Sequence, residues 1–278
     1  VGCRMLRVAT ISMKRCNGIN QAEHNARKEF LCLIVESPDA PDLIVCASDY
    51  FSTEAKLIEF CERRKELDNR STYIVTTVGN SKKGKKDKKG ESEKYPGLDY
   101  IYVIFPDGSF EKLAQQFIST RDNYKFGEED FIKNLENRRF ELPNGDRKFS
   151  CSVLSCGEIN AFHGRENVVA LHSATGNLFD DVDIILNPTH DRMSNDGAVD
   201  AKRRHLSQVI DGRHRCYISV SNWEVCSKSQ KKDASTLHTI YSSNFDEAYG
   251  YRNETVERQF IDGFEDLFEY RRSTVSFE

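Results

Sequence analysis

Residues 147–162, RKFSCSVLSCGEINAF, constrain the fold more than any other stretch of the chain. Charged residues give way to FSCSVLS, rich in small and β-branched residues, which then meets Cys156-Gly157-Glu158 and a new amphipathic segment. That is a strand ending in a turn that starts a helix. A cysteine at such a corner sits where the strand's carboxyl end meets the helix's first free N–H groups, so backbone donors and the helix dipole favour its thiolate. Cys156 is therefore the candidate nucleophile. The competing reading is one more buried small hydrophobe, which is where most cysteines end up.

The segments on either side repeat the strand-then-helix pattern. MLRVATIS (5–12) alternates as a strand, and the positions Ala22, Ala26, Phe30, Leu33 and Ile34 predict an amphipathic helix over 20–36, ended by Ser37-Pro38. LIVCA follows as a short buried strand, with Asp49 just beyond its carboxyl end, where open α/β sheets place their chemistry. A second helix with Leu57, Ile58 and Cys61 inward leads to strand 72–79. That strand and strand 99–105 bracket an expected hairpin, and Pro106-Asp107-Gly108 closes the second of them with a turn signal. Residues 127–140 suggest a short helix or loop, VDIILNPTH a strand breaking at Asn187-Pro188, DAKRRHLSQVIDG a helix stopped by Gly212, and RCYISVSN and TLHTIYSSN further strands. In NETVERQFIDGFEDLFEYRRSTVSFE, Val256, Phe260, Phe264 and Leu267 fall on one helical face. Strands alternate with helices throughout, which predicts an α/β architecture.

With 278 residues, 38% hydrophobic and 30% charged, residues 1–278 suffice for a single domain with a substantial core. The net charge of -4 offers no global attraction to nucleic acid or anionic membranes, so any such contact is expected to be local. The local candidate is the lysine-rich stretch 82–94, expected to be an exposed loop, with six lysines within 82–89. No aromatics interleave with them, and a solvated loop competes with a contact to nucleic acid or another acidic partner. Nine cysteines, an odd number with no C-x-x-C pair, point to a reducing, cytoplasmic setting rather than to disulfides or zinc. No two of the seven histidines have the i, i+4 spacing of a helical metal site, so no metal is expected.

The order PDLIVCASDYF, VIFPDGSFEK, FSCSVLSCGEINAF, VDIILNPTH and CYISVSNW resembles the nitrilase superfamily of carbon–nitrogen hydrolases, roughly from Leu6 to Ser243. The resemblance implies a four-layer α-β-β-α sandwich, a homodimer formed through helices, no cofactor, and a Glu–Lys–Cys catalytic set. Carried over by position, the cysteine is Cys156, the lysine Lys112 and the carboxylate Asp49, with a further glutamate from Glu128 or Glu129, of which Glu129 is preferred. Asp49 departs from the family pattern, which has Pro-Glu where this chain has Ser48-Asp49. The turn-to-lysine distance before Lys112 is also shorter than in the family.

In such a set the thiolate attacks an amide or nitrile carbon while the carboxylate takes the thiol proton and returns it to the departing amine. The lysine ammonium stabilises the oxyanion, and water then cleaves the thioester. A small amide is the expected substrate. Glu158 and His190 are candidate substrate-binding residues. For Glu158 the competing roles are orienting the cysteine loop or capping the next helix, and for His190 a plain loop hydrogen bond. Trp223 would line the pocket or plug the core. The alternative to a working hydrolase is a degenerate member kept as a binding or interaction module, which would fit one domain of a larger protein; an open polar pocket, as against one filled by side chains such as Tyr50 and Phe51, discriminates the two.

Overall fold

In the computed structural model the described residues are 4–15, 20–68, 71–79, 99–118, 124–190, 197–209, 212–224, 237–244 and 250–277. The first half runs β1 (Arg4–Arg15), α1 (Gln21–Glu36), β2 (Leu43–Cys46), α2 (Glu54–Lys65), β3 (Tyr73–Val78), β4 (Tyr100–Ile104) and β5 (Phe110–Gln115). Then come α3 (Tyr124–Lys133), a 3-10 turn at Glu136–Arg138, the hairpin β6 (Arg139–Asn144) and β7 (Arg147–Val153), and a second 3-10 turn at Glu158–Ala161. Short strands β8 (Phe162–His163) and β9 (Val169–Ala170) precede α4 (Ser173–Asp180), β10 (Ile184–Thr189) and α5 (Gly197–Leu206). The chain closes with β11 (Cys216–Ser221), β12 (Trp223–Glu224), β13 (His238–Asn244), β14 (Gly250–Asn253), β15 (Glu257–Gln259) and β16 (Phe268–Phe277).

Fourteen of these strands form two large sheets, and β8 and β9 pair as a separate two-stranded ribbon. One has the order β15-β16-β1-β2-β3-β4-β5, with β12 paired to the end of β1, and the other has the order β14-β13-β11-β10-β7-β6. Strand periodicity sorts the side chains between layers. Leu6, Val8, Leu43, Val45, Val75 and Val103 meet Phe149, Cys151, Val153, Ile184, Leu186 and Ile218 between the sheets. The alternate residues Ala9, Ile11, Ile44, Cys46 and Ile74 face outward, against Phe30 and Ile34 of α1 and Leu57 and Phe60 of α2. On the other flank Leu154, Ile185 and Tyr217 meet Phe131 of α3, Phe179 of α4 and Leu206 of α5. The result is the four-layer α-β-β-α sandwich. Helix α1 begins at a capping box in which Asn20 and Glu23 satisfy each other's backbone N–H groups, close to where the sequence places its start.

Three expectations need correction. The helical face through Val256, Phe260, Phe264 and Leu267 is not a helix: this stretch holds β15, a turn and the lead into β16. β16 pairs antiparallel with β1 from Met13↔Phe268 to Arg4↔Phe277, and a ten-residue ladder outweighs a local 3.6-residue pattern. Phe264 and Leu267 still pack against the core, whereas Phe260 is 64% exposed. β10 does not break at Asn187-Pro188 but runs through to Thr189. The Leu186 carbonyl faces the β7 side, accepting from Leu154, so by alternation the missing N–H of Pro188 points to the same side, beyond the end of β7. Helix α5 ends at Leu206, well short of Gly212.

The expected hairpin is present, with β3 antiparallel to β4. The lysine run 82–89 lies outside the described residues. Among those residues, no helix is long and apolar enough to cross a membrane.

Candidate active site

Cys156, His190 and Asp49 follow the carboxyl ends of β7, β10 and β2, and Asp99 stands at the head of β4. β2 is parallel to β1 and β3, and β7 is parallel to β10, so these ends gather on one rim of the sandwich. Backbone contacts lock the two sheets together there. Ser48 N–H donates to the Thr189 carbonyl at 3.0 Å, and Asn222 Nδ2 donates to the Ser48 carbonyl at 2.8 Å.

His190 is the hub. Its Nε2 lies 3.1 Å from Asp49 Oδ2 and 3.0 Å from Asp99 Oδ2, and the ring is also hydrogen-bonded to Cys156. Burial by itself would lower its pKa, but the bonds to Asp49, Asp99 and Cys156 outweigh burial and push it up to about 12. These partners favour the protonated form of His190, which is held next to the candidate nucleophile.

Asp49 has φ +62, the only described non-glycine residue with a positive φ. Aspartate tolerates this left-handed region better than most side chains, and the surroundings fix it there. Arg27 Nη1 donates to the carbonyls of Asp49 and Tyr50 at 3.0 and 2.9 Å, and Asp49 N–H donates to Thr77 Oγ1 at 3.2 Å. A Cβ on Gly79 would come within 2.8 Å of Asp49 Oδ1, so the carboxylate fills the space that this glycine leaves.

The cysteine loop is held from below. Glu158, fully buried, forms an ion pair with the equally buried Arg138 and accepts from Ser155 N–H at 2.7 Å and Phe117 N–H at 2.9 Å. Asn187 Nδ2 donates to the carbonyls of Leu154 and Ser155 at 2.9 and 3.2 Å, while its Oδ1 accepts from Tyr217 at 2.7 Å. Gln116, just past β5, donates to the Cys156 carbonyl. Glu158 is thus fully buried and spent on Arg138 and on the backbone of the cysteine loop and its neighbour Phe117. The helix expected after Cys156 is a single 3-10 turn entered through Gly157 at φ +83. Such a turn is too short for a useful dipole, and the group that meets the cysteine is His190.

Two other candidates do not join the cluster. Lys112 lies on the helix-facing side of its sheet, 3.5 Å from Glu54 Oε2 with its Nζ 3.7 Å above the Tyr100 ring. Its neighbour Leu113 takes the inter-sheet side, and period-2 alternation sends Lys112 the other way. Glu129 is exposed on α3, bonded to Lys133 at 2.5 Å. Tyr50 and Phe51, considered as plugs, are buried in the outer layer against α1 and α2.

Asp99 and Gln116 were missed by sequence reasoning. The available signal for Asp99 was an acid opening the apolar strand DYIYVIF. Among the described residues, Asp49, Asp99 and His190 are the group close enough to hold a metal ion. Their N···O separations of 3.0 and 3.1 Å are hydrogen-bond contacts that a proton on His190 satisfies.

No family model matches the sequence, and no curated protein does either. An amidase from Nesterenkonia sp. matches in structure with a TM-score of 0.52 and 10% identity, over 99% of this chain and 92% of that one. The chain shares the fold of this amidase. A cysteine-to-alanine mutant of the amidase from Nesterenkonia sp. AN1 in complex with butyramide matches at 0.52 and 10%, over 98% of this chain and 90% of that one. Another mutant of that enzyme, with the acetamide moiety of fluoroacetamide added covalently at its active site cysteine, matches at 0.51 and 10% over the same shares. At such identities the likeness is one of fold, and the reading of the site rests on the geometry above.

Proposed function

We propose that this protein is a cysteine-dependent carbon–nitrogen hydrolase acting on a small amide. The observation that carries this reading is the convergence of Cys156, His190 and Asp49 at one rim of the sandwich, from three separate strand ends. Asp49 takes the Cys156 thiol proton, and the sulfur attacks the amide carbon to give a tetrahedral oxyanion. The His190 imidazolium supplies the positive charge that the family draws from lysine, favouring both the thiolate and the oxyanion. Protonated Asp49 returns its proton to the departing nitrogen, the C–N bond breaks, and the amine leaves a thioester on Cys156. Asp49 then takes a proton from water, hydroxide adds to the thioester, the C–S bond breaks and the acid is released. The proton on Asp49 finally returns to sulfur.

The structural likeness to an amidase seen with butyramide supports an amide as the substrate class. A homodimer and a cytoplasmic setting belong to the same reading. The test is incubation with fluoroacetamide followed by intact and peptide mass spectrometry, with ammonia release from butyramide assayed in parallel. An acetamide adduct confined to Cys156 and lost in Cys156→Ala supports the reading. No adduct and no ammonia would leave the fold as a binding module.

A further inference from the structure

Two carboxylates share one ring nitrogen at this site, and their surroundings differ. Asp99 is buried at 3% exposure, and its Oδ2 accepts from Thr77 Oγ1 at 3.1 Å as well as meeting His190 Nε2. Its carbonyl accepts from Gln116 N–H at 2.7 Å, the same Gln116 whose side chain holds the Cys156 carbonyl. Asp49 has a side chain 23% exposed to solvent and stands on a left-handed backbone at the rim. Thr77 joins the two: its hydroxyl oxygen accepts from Asp49 N–H while its hydroxyl proton goes to Asp99. A hydrogen-bonded line thus runs from the Asp49 backbone through Thr77 and Asp99 to His190.

We propose that Asp99 is a positioning residue that fixes His190 as an imidazolium, and that this leaves Asp49 to carry the proton. The assignment rests on the hydrolase reading above. A lone Asp49–His190 pair would be a poor base, because a full positive charge at 3.1 Å stabilises the ionised carboxylate against accepting a proton. A second carboxylate on the same nitrogen divides that charge. The buried and pinned Asp99 is the better permanent counter-ion, since attraction is stronger away from water and its geometry costs no reorganisation. The groups facing the ring are Asp49 from the end of β2, Asp99 from β4 and Cys156 from the end of β7, with Thr77 of β3 behind.

The experiment is 15N NMR of histidine-labelled full-length protein across pH, with the His190 signals identified by their loss in His190→Gln, alongside fluoroacetamide labelling of Cys156. In the parent protein His190 holds both ring protons well into the alkaline range. Asp99→Asn should lower its titration midpoint by at least about one unit, equivalent to a tenfold change in proton affinity, and Asp99→Glu should restore it. Asp49→Asn should move the midpoint less, yet abolish turnover of butyramide. Should Asp99→Asn fail to fold, Thr77→Val withdraws the hydroxyl from Asp99 and should move the midpoint in the same direction. An unchanged midpoint in Asp99→Asn, or in Thr77→Val if that variant has to stand in, overturns the assignment, as does a shift in Asp49→Asn as large as that in Asp99→Asn. Absence of any Cys156 adduct in the parent protein overturns instead the hydrolase reading, which the NMR titration does not use.

Discussion

Asp49 Oδ2 and His190 Nε2 lie 3.1 Å apart although 141 residues separate them in the chain. One residue leaves the first sheet and the other the second, so their contact forms only when the sandwich closes. The protonation of His190 is therefore a property of the folded state. Unfolded, the ring returns to a pKa of about 6.5, against about 12 in the fold. A raised folded value gives stability that is complete below the unfolded pKa and is lost as pH rises through the folded one. The stability difference between the parent protein and His190→Gln should accordingly shrink steadily from about pH 6.5 to about pH 10, read by urea denaturation. A difference that grew with pH would contradict the imidazolium.

Lys112→Ala should be nearly silent. Its partner Glu54 is exposed, and surface pairs of this kind contribute under about 1 kcal/mol. Alkylation of Cys156 should be unaffected, whereas His190→Gln should slow turnover on the order of 100-fold or more. Loss of Cys156 reactivity in Lys112→Ala would return the catalytic cation to the lysine.

Gly79→Ala isolates the Asp49 carboxylate. Gly79 has no positive φ, so alanine fits its backbone, but the new Cβ would sit 2.8 Å from Asp49 Oδ1 and displace it. A shift of about 1 Å at a reacting group costs on the order of 100-fold in rate. The melting temperature should change little while activity falls, and a variant with full activity would remove Asp49 from the chemistry.

Glu158→Gln should be costly to the fold. It leaves the buried Arg138 guanidinium without its carboxylate, a loss of about 3–5 kcal/mol in buried pairs. Arg138→Met combined with Glu158→Met should recover much of that in urea denaturation, yet stay inactive because Ser155 and Phe117 lose their acceptor. Recovery of activity in the double variant would show that the pair does not orient the cysteine loop.

Selective alkylation is expected among the thiols. Burial pushes Cys61 up to about 12 and raises Cys32, Cys46, Cys151 and Cys216 as well. Of the six free cysteines among the described residues, five are buried and Cys156 is partly exposed. Iodoacetamide at neutral pH should modify Cys156 ahead of these five by peptide mapping.

Local patterning determined the fold class. Short apolar runs such as LIVC and CYISVS and the amphipathic faces of α1 and α2 are properties of neighbouring residues, and they imply an α/β architecture before any contact is known, while the sandwich was implied only by the family resemblance. The same patterning marked Cys156, Asp49 and His190 as strand-end residues. It misled at Val256–Leu267, where helical spacing coexists with β15 and the lead into β16, the strand that pairs with β1 more than 250 residues away in sequence. Only the tertiary structure decided that His190 and not Lys112 lies beside Cys156, because the sheet face that Lys112 occupies depends on the register of β4 with β5. It also decided that Asp99, unremarkable in sequence, lies 3.0 Å from the ring nitrogen of a histidine from the opposite sheet. Such partners are set by how the two sheets stack, and stacking sums over the whole inter-sheet core, which no local stretch encodes.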